Sequence, residues 1–138
     1  MSSKPTRPKR KPRPQKSSLA IVERAHRGTL EDRYGNIVWL SECMRQMKAD
    51  HNIVLAGSAV AAAFDAEDGP EMSIADMAMG PIGQLPNAVR SLKDAGAKIW
   101  VLQSDLDRFA GNHPLVAGVD VAPSLAALTA AHDHVWFW

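Results

Sequence analysis

The sequence predicts an α/β domain with a mostly parallel, five-stranded sheet covered on both faces. Three observations predict it. Short apolar runs alternate with stretches of helical spacing, which is the order of βαβ units. The 138 residues, 46% of them hydrophobic, suffice for one domain with a real core. Residues 1–18 differ so sharply from the rest that they read as a tail, leaving residues 19–138 as the single domain.

The elements follow in order. Leu19-Ala20-Ile21-Val22 is a buried first strand. Arg24 to Gly28 is a loop, and Thr29 with Asp32 forms a capping pair that opens a helix running to about Ala49. Ile37, Leu40, Met44 and Met47 recur at spacings of three and four and are its expected core stripe. Asn52 to Ala56 is the second strand. Gly57-Ser58 then turns the chain into an alanine-rich helix ending near Phe64. Residues 65–85 are expected to be an irregular loop with one short helical turn, because acidic residues, Gly69-Pro70 and Gly80-Pro81 interrupt every period. Met72, Met77 and Met79 in this loop either offer an adaptable contact surface or fold back over the sheet. Pro86 suits the first position of a helix that Gly96 closes. Lys98 to Leu102 and Val119 to Val121 are strands, Pro123 opens a helix to about Ala131, and His134 to Trp138 is the terminal strand. Trp136 and Trp138 share one face of that strand, so both faces need cover from helices or from another subunit.

The net charge of +1 conceals an asymmetry. The tail carries Lys4, Arg7, Lys9, Arg10, Lys11, Arg13 and Lys16 with no acidic residue, leaving the domain at about −6. Pro5, Pro8, Pro12 and Pro14 favour an extended path, and little in the tail is apolar enough to order it. Such a polycation can neutralise phosphates without sequence specificity, so these seven residues are candidate nucleic-acid contacts. A solubilising extension, or a peptide that docks an acidic partner, fits the same composition. No aromatic residue interrupts the tail, which argues against base stacking there.

Other classes recede. No apolar run approaches the roughly 18 residues of a membrane span, and no secretory signal is evident, so a cytoplasmic location is expected. One cysteine excludes an internal disulfide and a four-thiolate metal site. The sequence has no HExxH, no G-x-G-x-x-G and no Walker motif, and neither a metal nor a cofactor is expected. His132 and His134 flank Asp133, but with no third ligand placed they read as a polar turn. Cys43 lies mid-helix beside Trp39, where a cysteine serves as small packing material rather than as a reactive thiol. The candidate ligand site is the carboxyl edge of the sheet. His26, Arg27 and Thr29 after the first strand should gather there with Gly57 and Ser58, and with Gln103, Ser104 and Asp105. The same residues could equally be solvated loops and caps.

One stretch narrows the field. Ala97-Lys98-Ile99-Trp100-Val101-Leu102-Gln103-Ser104-Asp105-Leu106-Asp107 is followed by Gly118-Val119-Asp120-Val121 and by the closing His134 to Trp138. At the other end stand Leu19 to Val22, then Gly28-Thr29-Leu30-Glu31 and Tyr34. This order, across residues 19–138, resembles the DsrE/DsrF-like sulfur-relay family. The resemblance implies a three-layer α/β/α sandwich, assembly into homotrimers or multiples of them, and sulfur carried as a persulfide on a cysteine at the end of a strand. In this sequence that cysteine position falls on Leu102, and neither leucine nor its neighbours Gln103 and Ser104 can hold sulfane sulfur. The expectation is therefore a non-catalytic binding or structural subunit, partnered by a cysteine-bearing sulfur-relay protein. The alternative is a nucleic-acid-associated protein that binds through its tail. An enzyme ranks last, because no acid–base pair stands out.

Overall fold

The computed structural model of the protein describes residues 11–24, 37–65, 71–81, 85–109 and 111–138. Strand β1 spans Ser17–Val22 and starts earlier than its apolar run, because Ser18 is held inside by a hydrogen bond. Helix α1 spans Ile37–Gln46, β2 spans Asp50–Leu55, and a 3-10 helix covers Gly57–Ala63. Then come β3, Glu71–Ile74, and β4, Met77–Pro81. Helix α2 is Leu85–Asp94, β5 is Ile99–Leu102, and α3 is Gln103–Phe109. The chain finishes with β6, Asp120–Ala122, α4, Leu125–Ala130, and β7, His134–Phe137.

Five strands form one sheet in the order β6-β5-β2-β1-β7, and every pairing is parallel. From β1 the chain steps outward through β2 and β5 to β6, then crosses back to place β7 on the far side of β1. Right-handed crossovers put the helices of the outward steps on one face and the helix of the return step on the other. The core follows that rule. Val22, Ile53, Leu55, Ile99 and Val101 pack with Val38, Val60, Val89 and Leu92 on the first face. Leu19, Ile21, Val54 and Ala56 pack on the second, where Leu125 and Leu128 of α4 cover them together with Trp100 and Leu102. The result is the expected α/β sandwich. Among the described residues no helix is long and apolar enough to cross a membrane.

Four local expectations change. Part of the irregular 65–85 segment is an antiparallel hairpin, with Ile74 opposite Met77 across a turn of Ala75 and Asp76. Small and apolar residues alternate there with a period of two, and two residues suffice for the turn. Gln103 to Asp105 is not a loop but the first turn of α3, where Gln103 Nε2 donates to Asp107 Oδ1 at 2.6 Å. The buried face of α1 is Ile37, Val38 and Ser41, while Leu40 and Met47 are exposed. The three–four spacing is real, but it marks a flank rather than the underside. Residues 29–36 of the expected helix lie outside the described residues. Finally, Val135, Trp136, Phe137 and Trp138 are all exposed in the single chain. The closure at Gly96 holds: its φ is +94°, and its N–H donates to the Lys93 carbonyl at 2.9 Å.

Candidate functional site

Two polar constellations occupy opposite ends of the parallel sheet. At the carboxyl edge, β2 is followed by Ala56 and by Gly57, whose φ of +54° turns the chain into the 3-10 helix. Its N–H donates to Asp105 Oδ2 of α3 at 2.8 Å. Gly57 and Asp105 are thus brought together as the sequence suggests, with Gln103 half-buried and Ser58 and Ser104 exposed near them. The carboxylate caps a helix amino end that has no side-chain cap of its own. It also fills the place that an anion would take at Gly57. Asp105→Ala is expected to lower stability by about 1–2 kcal/mol and Asp105→Asn by less, read by chemical denaturation. His26, Arg27 and Thr29 lie outside the described residues.

Leu102 ends β5 on this edge. It is half-buried and, like Trp100, Leu125 and Leu128, packs against the buried cluster of Leu19, Ile21, Val54 and Ala56 on the second face of the sheet. Cys43 is half-buried on α1, which packs on the first face. The sheet stands between the two positions.

At the amino edge, His51 is fully buried between two serines. Its Nδ1 lies 2.7 Å from Ser18 Oγ of β1, and its Nε2 lies 2.9 Å from Ser41 Oγ of α1. A neutral imidazole donates at one nitrogen and accepts at the other, and each hydroxyl supplies the matching role. The ring of Trp136 lies 5.4 Å away. Burial, followed by the charges of Arg45 and His132, holds the His51 pKa below its usual 6.5. This is a serine–histidine contact without access for a substrate, and it fastens three elements together. Sequence reasoning missed it, although a signal existed. His51, Ile53 and Leu55 alternate on one strand face, and Ser41 lies one helical turn beyond Ile37.

His132 is committed in a similar way. Its Nδ1 donates to the Leu128 carbonyl at 2.7 Å, which leaves Nε2 to accept from Asn52 Nδ2 at 3.2 Å. Asn52 Oδ1 accepts the Lys98 N–H at 2.9 Å. Asp133 Oδ2 accepts from the Ser17 N–H at 2.8 Å and from Ser17 Oγ at 3.2 Å, which pulls its pKa below 3.8. Neither nitrogen of His132 is left to bind a metal. No cluster of three metal-ligating side chains occurs among the described residues.

Of the tail, Lys11, Arg13 and Lys16 are exposed, and the Gln15 side chain donates to the Lys48 carbonyl beside the α1–β2 turn. Lys4, Arg7, Lys9 and Arg10 lie outside the described residues.

This parallel sheet, with its single return crossover, defines a DsrE/YchN-like fold. Among solved structures, the ychN protein from E. coli superposes with a TM-score of 0.69 at 18% identity, over 90% of this chain and 100% of that one. A conserved protein of unknown function from Bacteroides thetaiotaomicron, BT1422, gives a TM-score of 0.53 at 14% identity, over 88% of this chain and 95% of that one. At these identities the likeness establishes the fold alone. No protein-family model matches the sequence, and no curated protein matches it.

Proposed function

We propose that this chain is a DsrE-like subunit without persulfide chemistry, acting in a homo-oligomer as a binding or structural partner of a cysteine-bearing sulfur-relay protein. The observation that carries this reading is the environment of Leu102. The position at which the family resemblance places a sulfur carrier holds an aliphatic side chain packed against the buried cluster of Leu19, Ile21, Val54 and Ala56. The only thiol belongs to the helical layer on the other face of the sheet. A persulfide carrier needs a thiolate that a partner can reach, and a mid-helix cysteine lacks the helix amino end that would activate it.

Intact-mass spectrometry after incubation with a sulfane-sulfur donor tests this. The expected result is no adduct, or slow labelling confined to Cys43 and abolished by Cys43→Ser. Rapid stoichiometric loading of Cys43, with onward transfer to an acceptor thiol, would overturn it.

A further inference from the structure

Helices α1 and α2 end in the same left-handed closure, with one difference. Helix α2 closes on Gly96, at φ +94°. Helix α1 closes on Lys48, at φ +66°. The Lys48 N–H donates to the Arg45 carbonyl at 2.8 Å, and the Ala49 N–H donates to the Met44 carbonyl at 3.0 Å. Glycine takes this conformation freely, whereas lysine is strained in it. Strain kept at an exposed turn points to a use for the side chain. Arg45 braces the turn. Its Nη1 donates to the Ala49 carbonyl at 3.2 Å and to Asp50 Oδ1 at 3.3 Å, and its Nη2 donates to the Gly96 carbonyl at 2.6 Å. The guanidinium is committed to that task, and Lys48 stands exposed beside it.

The tail runs onto the same turn. The Gln15 side chain donates to the Lys48 carbonyl, and Lys11, Arg13 and Lys16 are exposed along this stretch. Ser17 then enters β1 opposite Asp50. On the far side of β2, the exposed Lys98 precedes β5, and its carbonyl accepts from the Ile53 N–H at 3.1 Å. Because β1 and β5 flank β2, the backbones at Lys16 and Lys98 stand two strand spacings apart, or ~10 Å. Of the carboxylates on this edge, Asp50 is paired with Arg45, Asp133 is held by Ser17, and Asp120 lies beyond β5. Lys4, Arg7, Lys9 and Arg10 precede the five cations in the sequence.

We propose that this amino edge binds the phosphate backbone of nucleic acid without sequence preference, through Lys11, Arg13, Lys16, Lys48 and Lys98. A duplex carries one negative charge per ~1.7 Å of its axis, so an edge of this width meets several phosphates at once. Lysine and arginine alone suffice for such contacts. An acidic protein fits less well, because the fully buried centre of a protein interface is apolar. Residues 2–18 contain no aromatic or aliphatic side chain apart from proline. The same lack leaves nothing to insert into a bilayer. The proposal goes beyond the subunit reading and does not depend on it, since Leu102 lies at the other end of the sheet.

Fluorescence anisotropy of the full chain with labelled duplexes of about 20 base pairs, in two unrelated sequences, tests it. Both duplexes should bind equally well, and log K should fall against log salt with a slope of about −4 or steeper, for five neutralised phosphates. Lys48→Gly should weaken binding about three- to tenfold and flatten the slope by about 1. The same variant should raise the melting temperature, because glycine relieves the left-handed strain, so lost binding cannot be put down to lost folding. Joint replacement Lys11→Gln, Arg13→Gln and Lys16→Gln should flatten the slope by about 3. Arg24→Gln, exposed at the carboxyl edge, should change neither affinity nor slope. Absence of binding at about 50 mM salt, binding indifferent to salt, or binding that survives both basic-edge variants would overturn the proposal. Binding to phosphatidylserine vesicles but not to the duplexes would also overturn it, and would assign the edge to a membrane surface. Sulfur loading reads Cys43 and is independent of every one of these outcomes.

Discussion

Replacing His51 with alanine is expected to lower stability by about 3–5 kcal/mol. The change leaves a cavity where a fully buried ring stood, and it strips Ser18 and Ser41 of their partner in a dry place. Ser41→Ala should cost less, about 1–2 kcal/mol, because it orphans one imidazole nitrogen without a large void. A pH series supplies a second readout. The His51 pKa is depressed in the folded state, so the unfolded chain takes up the proton first. Stability is then fully present above about pH 6.5 and falls as the pH descends below it. His51→Ala should flatten the slope between pH 7 and pH 5. Asp133 adds a loss only further down, as the pH falls through 3.8 toward its depressed value. Urea denaturation across this range checks both points, and an unchanged slope in the alanine variant would remove His51 as its source.

Deleting residues 135–138 is expected to abolish cooperative folding. β1 would lose the partner that pairs Leu19 with Val135, Ala20 with Trp136 and Ile21 with Phe137. A strand whose Leu19 to Val22 are fully buried would become an edge. His51 would lose the Trp136 ring that lies against it. Together these changes should remove about 5 kcal/mol or more, comparable with the whole stability of a small domain. Circular dichroism on heating should show a broad, uncooperative transition. A sharp melt within a few degrees of the intact chain would mean that β7 is an accessory strand.

The fold was legible wherever local pattern and tertiary role agree. Leu19 to Val22 and Ile53 to Leu55 are apolar runs too short for helices, and they are central strands. Gly96 follows a helical stretch and sits at positive φ, where only a left-handed closure fits. Legibility failed where a pattern had two physical meanings. The Leu40, Met44 and Met47 spacing fits an underside or a flank equally well. What decides is Ser41, a residue that periodicity counts as polar and that His51 draws inside. The candidate site was legible in part. Gly57 and Asp105 meet, but the contact consumes the glycine amide that made the edge attractive for a ligand. The buried histidine escaped notice because its partners lie on three separate elements, and spacing along the chain does not connect them.

The return crossover has a consequence for how the domain is made. β1 leaves the ribosome before β2, β5 and β6, yet β7 and the α4 cover of Leu19 and Ile21 emerge only after all of them. Ser17 waits for Asp133 across a sequence separation of 116 residues. Closing such a loop is entropically costly and slows folding relative to local contacts. A nascent chain halted before residue 125 would hold the β1, β2, β5 and β6 ladder with its second face bare. Until residues 125–137 emerge, Leu19, Ile21, Val54 and Trp100 form an apolar surface open to other chains. The interval between the emergence of β6 and that of β7 is when this protein is most exposed to aggregation and most dependent on chaperones.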